Sequence, residues 1–184
     1  MKTILKIFFL SGILFIANSC KKEVETDEPT NEKVYIAGWT NSFSSPHFGT
    51  YWVNGVAVNF PTGSKLSEAN AIFVSGADVY VAGREFVAGK YIGKVLKNGI
   101  TIHTLDNPHD LYITSMYISG TDVYVCGYGV SNALGRPIAK YWKNGVATKL
   151  TADNVSSEAN AIAISGNDVY IVGHINSMAT YWKN

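Results

Sequence analysis

Apolar residues in this chain gather into short runs that return at nearly equal intervals. Val34-Tyr35-Ile36-Ala37-Gly38 recurs as Val79-Tyr80-Val81-Ala82-Gly83, Val123-Tyr124-Val125-Cys126-Gly127 and Val169-Tyr170-Ile171-Val172-Gly173, with the tyrosines 45, 44 and 46 residues apart. A second element keeps step with the first: Tyr51-Trp52-Val53-Asn54-Gly55, Val95-Leu96-Lys97-Asn98-Gly99, Tyr141-Trp142-Lys143-Asn144-Gly145 and Tyr181-Trp182-Lys183-Asn184. A third, Ser67-Glu68-Ala69-Asn70-Ala71-Ile72, returns 90 residues later as Ser157-Glu158-Ala159-Asn160-Ala161-Ile162. No stretch holds a helical period, so the chain reads as all-β. A fixed period between 20 and 50 residues signals a stacked repeat array.

Each complete repeat parses into four antiparallel strands. In the second repeat, strand A is expected at about Ala71 to Val74, and Ser75-Gly76-Ala77-Asp78 turns the chain into strand B, Val79 to Ala82. Strand C carries the Tyr-Trp or Val-Leu pair. Asn-Gly then supplies the two residues that a type I′ turn requires, and strand D follows, as in Val146 to Leu150. The array begins at a strand B and holds three, four, four and three strands, fourteen in all. A and B are almost continuously apolar, C is mixed and D admits Thr, Asn, Lys and His. That gradient predicts inner strands covered on both faces and an outer strand at solvent. It fits blades of a β-propeller over residues 34–184 (34–60 partial, 71–105, 113–150, 159–184 partial). Fourteen strands broken at these points predict an incomplete propeller. The expected cause is a C-terminal truncation; an open or oligomer-completed array is the alternative.

The N-terminus has a different character. Lys2 and Lys6 precede the apolar stretch Ile7 to Ile16, too short to span a bilayer and suited to a signal-peptide core over residues 1–19. Ile16-Ala17-Asn18-Ser19-Cys20 resembles a bacterial lipobox, with the branched residue one place further from the Cys than is usual. The resemblance implies lipidation at Cys20 and a stable membrane anchor. Residues 20–33 then form a charged tether with too little apolar surface to fold. The Ser-Cys-Lys-Lys junction followed by acidic residues resembles lipoproteins of the Bacteroidetes, which implies the outer membrane or cell surface. The Asp-Val-Tyr-Val-Ala-Gly and Tyr-Trp-Lys-Asn-Gly elements resemble the repeats of propeller-like lipoproteins of that group. They are also distantly similar to kelch blades, with one Gly where kelch blades carry two.

Composition narrows the partners. Apolar residues make up 47% and charged residues 16% of the 184 residues, and without Lys2 and Lys6 the basic count of 15 falls to 13 against 14 acidic side chains. No field of one sign is available to attract nucleic acid. Cys126 occupies a position held elsewhere by Ala37, Ala82 and Val172, which predicts a buried, inert thiol. No cofactor or metal motif is present.

The A-to-B and C-to-D turns repeat, whereas the B-to-C and D-to-A connections vary and share one end of the blades. Variable segments on a constant scaffold are where binding concentrates. From the B-to-C set the candidates are Trp39, His47, Arg84, Tyr128, Arg136 and His174; from the D-to-A set they are Asp106 and His109. The recurring Asp78, Asp122 and Asp168 are expected to cap turns, and Trp52, Trp142 and Trp182 to pack between blades. The expected function is a binding module for a glycan or protein. A polysaccharide hydrolase or lyase would instead need two acids, drawn from Glu68, Asp106, Asp110, Asp153 and Glu158, within about 5 to 9.5 Å. A purely structural repeat is the third reading.

Overall fold

A computed structural model describes residues 32–42, 45–60, 66–131 and 135–184. Cys20, the signal segment and the tether up to residue 31 lie outside the described residues, as do Lys65 and Asn132. The described chain has fourteen strands and no helix. The first sheet contains β1 (Tyr35–Ser42), β2 (Ser45–Val53) and β3 (Val56–Asn59). The second contains β4 (Ser67–Ser75), β5 (Asp78–Val87), β6 (Lys90–Lys97) and β7 (Ile100–Leu105). The third contains β8 (Leu111–Ser119), β9 (Asp122–Ser131), β10 (Arg136–Lys143) and β11 (Val146–Lys149). The fourth contains β12 (Ser157–Ser165), β13 (Asp168–Ile175) and β14 (Met178–Lys183). Each sheet is an antiparallel meander in chain order, so the strand count and grouping match the sequence pattern.

The strands run longer than their apolar runs. β4 begins four residues before Ala71, and β5 continues through Gly83 to Val87. The cause is a β-bulge that the sequence does not announce. Ala69 pairs with Gly83 and Ala71 with Ala82, which leaves Asn70 as the extra residue. Thr114 holds the same place between Ile113 and Ser115, and Asn160 between Ala159 and Ala161. The glycine of each apolar run therefore does not end a strand; it faces a bulge. A Cβ on Gly83 would collide with the carbonyl oxygen of Glu68, one on Gly127 with that of Tyr112, and one on Gly173 with that of Glu158. Gly38 differs: a Cβ there would meet only the Trp52 ring, at 3.3 Å. β1 is an edge strand, and among the described residues no first strand lies beside it.

Consecutive sheets stack face to face, mainly through β4, β8 and β12, the first strands of their sheets. Tyr51 of the first sheet and Phe60, just after β3, meet Ala69, Val81 and Leu96 of the second. Ala82, Val95 and Leu105 meet Met116, Val125 and Trp142. Tyr124, Cys126 and Ala139 meet Ala159, Ile162 and Ile171. An inner sheet is covered on both faces, so Val123 to Gly127 of β9 are buried without a break. Among the described residues, the outer sheets are covered on one face only. Their second strands differ accordingly: Ile171 is buried and Val172 is 50% exposed, whereas Ile36, equivalent to Ile171, is 53% exposed. Burial also falls outward within a sheet, and β11 is exposed throughout.

The repeating polar residues fasten hairpin turns. Positive φ at Asn54-Gly55, Asn98-Gly99 and Asn144-Gly145 gives the expected I′ geometry. The Asn98 side-chain oxygen accepts from Val79 N at 2.9 Å while its amide donates to Asp78. Asn144 treats Val123 and Asp122 in the same way. Lys97, Lys143 and Lys183 complete the fastening by pairing with Asp78, Asp122 and Asp168. The aspartates thus belong to the turns. Trp142 is fully buried between sheets, and burial pushes the Cys126 thiol up to about 11, as an inert position requires.

Candidate functional site

The residue following the glycine of each second strand does not repeat: Trp39, Arg84, Tyr128 and His174. Opposite it on the first strand stand Glu68 for Arg84, Tyr112 for Tyr128 and Glu158 for His174. These positions sit just beyond the bulge, at the end of the sheets away from the fastened turns. Trp39, His47, Arg84, Tyr128, Arg136 and His174, expected in the B-to-C connections, are all on strands, in β1, β2, β5, β9, β10 and β13. The connections are shorter than expected because Ala88-Gly89 and Asn176-Ser177 each close a two-residue hairpin, with positive φ at both positions.

Arg84 is the centre of the arrangement. Its Nε and Nη2 each donate to the Glu68 carboxylate at 2.9 Å. Its guanidinium carbon lies 4.1 Å from the centroids of both the Tyr91 and Tyr112 rings. Tyr112 stacks on Tyr128 at 4.7 Å with 13° between the planes. On one side, Trp39 and His47 have ring centroids 6.3 Å apart, and the charge of His47 acts on Glu68. On the other, Glu158 Oε2 is 3.9 Å from His174 Nε2. Five of the expected residues thus join Glu68, Tyr91, Tyr112 and Glu158 in one row across the four sheets.

Electrostatics show what the row can do. Burial alone would raise the Glu68 carboxyl, but the hydrogen bonds and charge of Arg84, with help from Asn70 and His47, hold it below its ordinary 4.5. Burial opposes the Arg84 charge too, and the Glu68 pair outweighs it. Both groups are therefore ionised and mutually engaged. Burial raises the hydroxyls of Tyr91 and Tyr128, so both stay neutral near pH 7 and can donate or accept hydrogen bonds. The row offers aromatic faces beside fixed polar groups.

Of the other three expected residues, His109 lines a separate cleft, and Asp106 and Arg136 are engaged outside its lining. Asp106 accepts from Lys90 at 2.7 Å, in the connection after β7. Asn107, only 3% exposed, is held by its Nδ2 donating to the carbonyls of His109, Asp110 and Val130. The Lys140 ammonium donates to its Oδ1 at 2.5 Å. Arg136, the first residue of β10, donates to Asn154 O at 3.0 Å. A cleft here is lined by Asn107, His109, Ser131, Lys140, Lys149 and Asp153. Burial, and then the neighbouring charge of Lys149, lowers the Lys140 ammonium.

Sequence reasoning missed Lys140, Asn107, Tyr91 and Tyr112. Lys140 occupies a strand C position held elsewhere by Thr50, Lys94 and Thr180, so nothing local marks it as buried. Tyr112 could have been found by asking which first strand breaks the Ser-Glu-Ala pattern. Among the described residues, no group of three His, Cys, Asp or Glu side chains is placed to hold a metal ion.

The acids considered for catalysis are mostly engaged. Glu68 binds Arg84, Asp106 binds Lys90, Asp153 binds Lys149, and Asp110 accepts from Tyr91 N. No protein-family model matches the chain, and a search of curated proteins finds no match.

Proposed function

We propose that this is a lipid-anchored envelope protein whose four sheets are consecutive blades of a β-propeller, and whose aromatic and polar row binds a glycan at the cell surface. The observation that carries the binding reading is the row itself. Structurally equivalent positions in four successive sheets hold Trp39, Arg84, Tyr128 and His174, all different, on a scaffold whose strand order and hairpin turns repeat. Repetition would suffice for stability, so the side chains that break it answer to something other than packing.

The chemistry of the row favours a carbohydrate. Sugar rings present apolar C–H faces to aromatic planes and hydroxyls to fixed charged or amide groups. Trp39 is 50% exposed, and Tyr128 adjoins the Glu158–His174 pair. The blade reading draws on the stacking through first strands and on the outward decline of burial. The anchor rests on the resemblance of the segment ending at Cys20 to a lipobox.

The test is a screen of the full chain against envelope and host polysaccharides, followed by titration of any ligand found. Trp39→Ala and Tyr128→Ala should each weaken binding by about 1–3 kcal/mol, whereas Lys143→Ala, at the opposite end of the sheets, should leave it unchanged. Binding to a protein but to no glycan would overturn the ligand assignment. A Cys20→Ala variant that still takes up labelled palmitate would overturn the anchor.

A further inference from the structure

Two positions in each sheet are diagonal neighbours: the second residue after the glycine of the second strand, and the third-strand residue paired with that glycine. In the first sheet they hold Thr40 and Thr50, whose hydroxyls lie 3.3 Å apart. In the second they hold Glu85 and Lys94, a carboxylate and an ammonium paired at 2.5 Å. In the third they hold Gly129 and Lys140, so the lysine is present and the carboxylate is not. We propose that the cleft beside Lys140 binds a small carboxylic acid, whose charged group meets Lys140 as the Glu85 carboxylate meets Lys94. This inference goes beyond the glycan row and does not need it.

Lys140 is only 8% exposed, and its one side-chain hydrogen bond among the described residues goes to Asn107 Oδ1. Asn107 is oriented by its Nδ2, which donates to the carbonyls of His109, Asp110 and Val130 and leaves the oxygen for the lysine. A neutral amide oxygen satisfies one of the three N–H groups of an ammonium and cancels none of its charge. The charged groups nearby are spent on one another: Lys149 donates to both oxygens of Asp153, and Lys90 pairs with Asp106. A buried ammonium with no counterion is costly, and burial accordingly lowers that of Lys140.

Position 129 itself has no room for the missing acid, because a Cβ on Gly129 would lie 2.5 Å from Asn107 Oδ1. The cleft has room. It encloses about 240 Å³, with Pro108, Val130 and Ile138 as an apolar wall and His109 and Lys149 as polar groups beside Lys140. That volume is below the roughly 300–1,000 Å³ of sites for drug-sized ligands, which limits the occupant to a short acid or one sugar acid. A single uncancelled positive charge also matches one carboxylate better than a phosphate dianion.

The probes are sodium D-glucuronate and sodium lactate, titrated into the full chain and followed by calorimetry and amide chemical shifts. Saturable binding of at least one is expected, with the largest shifts at Asn107, Gly129 and Lys140. Its neutral counterpart, glucose or lactamide, should bind about tenfold more weakly or worse, as loss of a charge-assisted hydrogen bond requires. Lys140→Met should bring the same loss with a melting temperature within a few degrees of the parent, and Trp39→Ala, in the glycan row, should leave carboxylate binding unchanged. The comparison of acid with neutral counterpart uses unmodified protein, so it holds even if the lysine variant folds poorly. Failure of the row to bind any glycan would leave these outcomes as they are. No saturable binding of either acid, equal binding of the neutral compounds, or binding that survives Lys140→Met and is lost in Trp39→Ala would overturn the proposal. Tighter binding of inorganic phosphate at the same residues would overturn the assignment to a carboxylate.

Discussion

Arg84 shows how one side chain is tied into the fold by both its charge and its plane. Its charge is held by a carboxylate on the neighbouring strand and its plane by two tyrosine rings, one from its own sheet and one from the next. With side chains only 12% and 19% exposed, the Arg84–Glu68 pair is shielded from screening by solvent. The Glu68 carboxyl is depressed in the folded state, so its stabilisation is present above about pH 4.5 and is lost as pH falls through the lower folded value. Glu68→Gln should cost about 1.5–3 kcal/mol near pH 7. In denaturant titrations the gap between variant and parent should narrow steadily below pH 4.5; a gap constant down to pH 2.5 would remove the pair from the account.

The hairpins explain both what the sequence made legible and what it hid. Asn-Gly at three turns was readable because I′ geometry demands positive φ at two successive residues. Ala88-Gly89 and Asn176-Ser177 adopt the same geometry with less suitable residues, so strand endings there looked like loops. The bulges were hidden for a related reason. Asn70 carries no distinctive signal of its own, and its register becomes visible only when Gly83 is seen across from it. The candidate row was legible in five of its members, because they fail to repeat, but not in its geometry. Tyr91 and Tyr112 enter it through contacts between strands and sheets that spacing does not encode. One consequence is testable: Ala88, at φ 50, bears a Cβ where Asn is better tolerated. Ala88→Asn should stabilise the protein by about 0.5–1 kcal/mol, seen as a rise in melting temperature.

At the scale of the whole array, contacts are confined mainly to neighbouring sheets, so its stability behaves approximately as a sum of sheet and interface contributions. This is also why strand grouping was readable without any knowledge of tertiary contacts: each sheet is local in the chain. Burial at the two ends was not readable, because Ile36 and Ile171 are the same residue type at the same position and differ only in what covers them.

The interfaces, however, are not all alike. Gly49 N donates to Ser67 Oγ at one junction and Ala139 N to Ser157 Oγ at another, while Leu111 stands at the equivalent place between them. The three junctions between the described sheets therefore run serine, leucine, serine, an alternation laid over the single-sheet repeat. That gives the scaffold a parity. Excising 67–156 would bring an identical Ser-Glu-Ala-Asn-Ala-Ile strand against the first sheet, and the shortened protein should still fold cooperatively by circular dichroism. Excising the second sheet alone, 67–110, would set Leu111 where a serine hydroxyl is required, and should lose that cooperativity. In excisions from the interior, these four sheets keep their junctions matched only when two neighbouring sheets leave together.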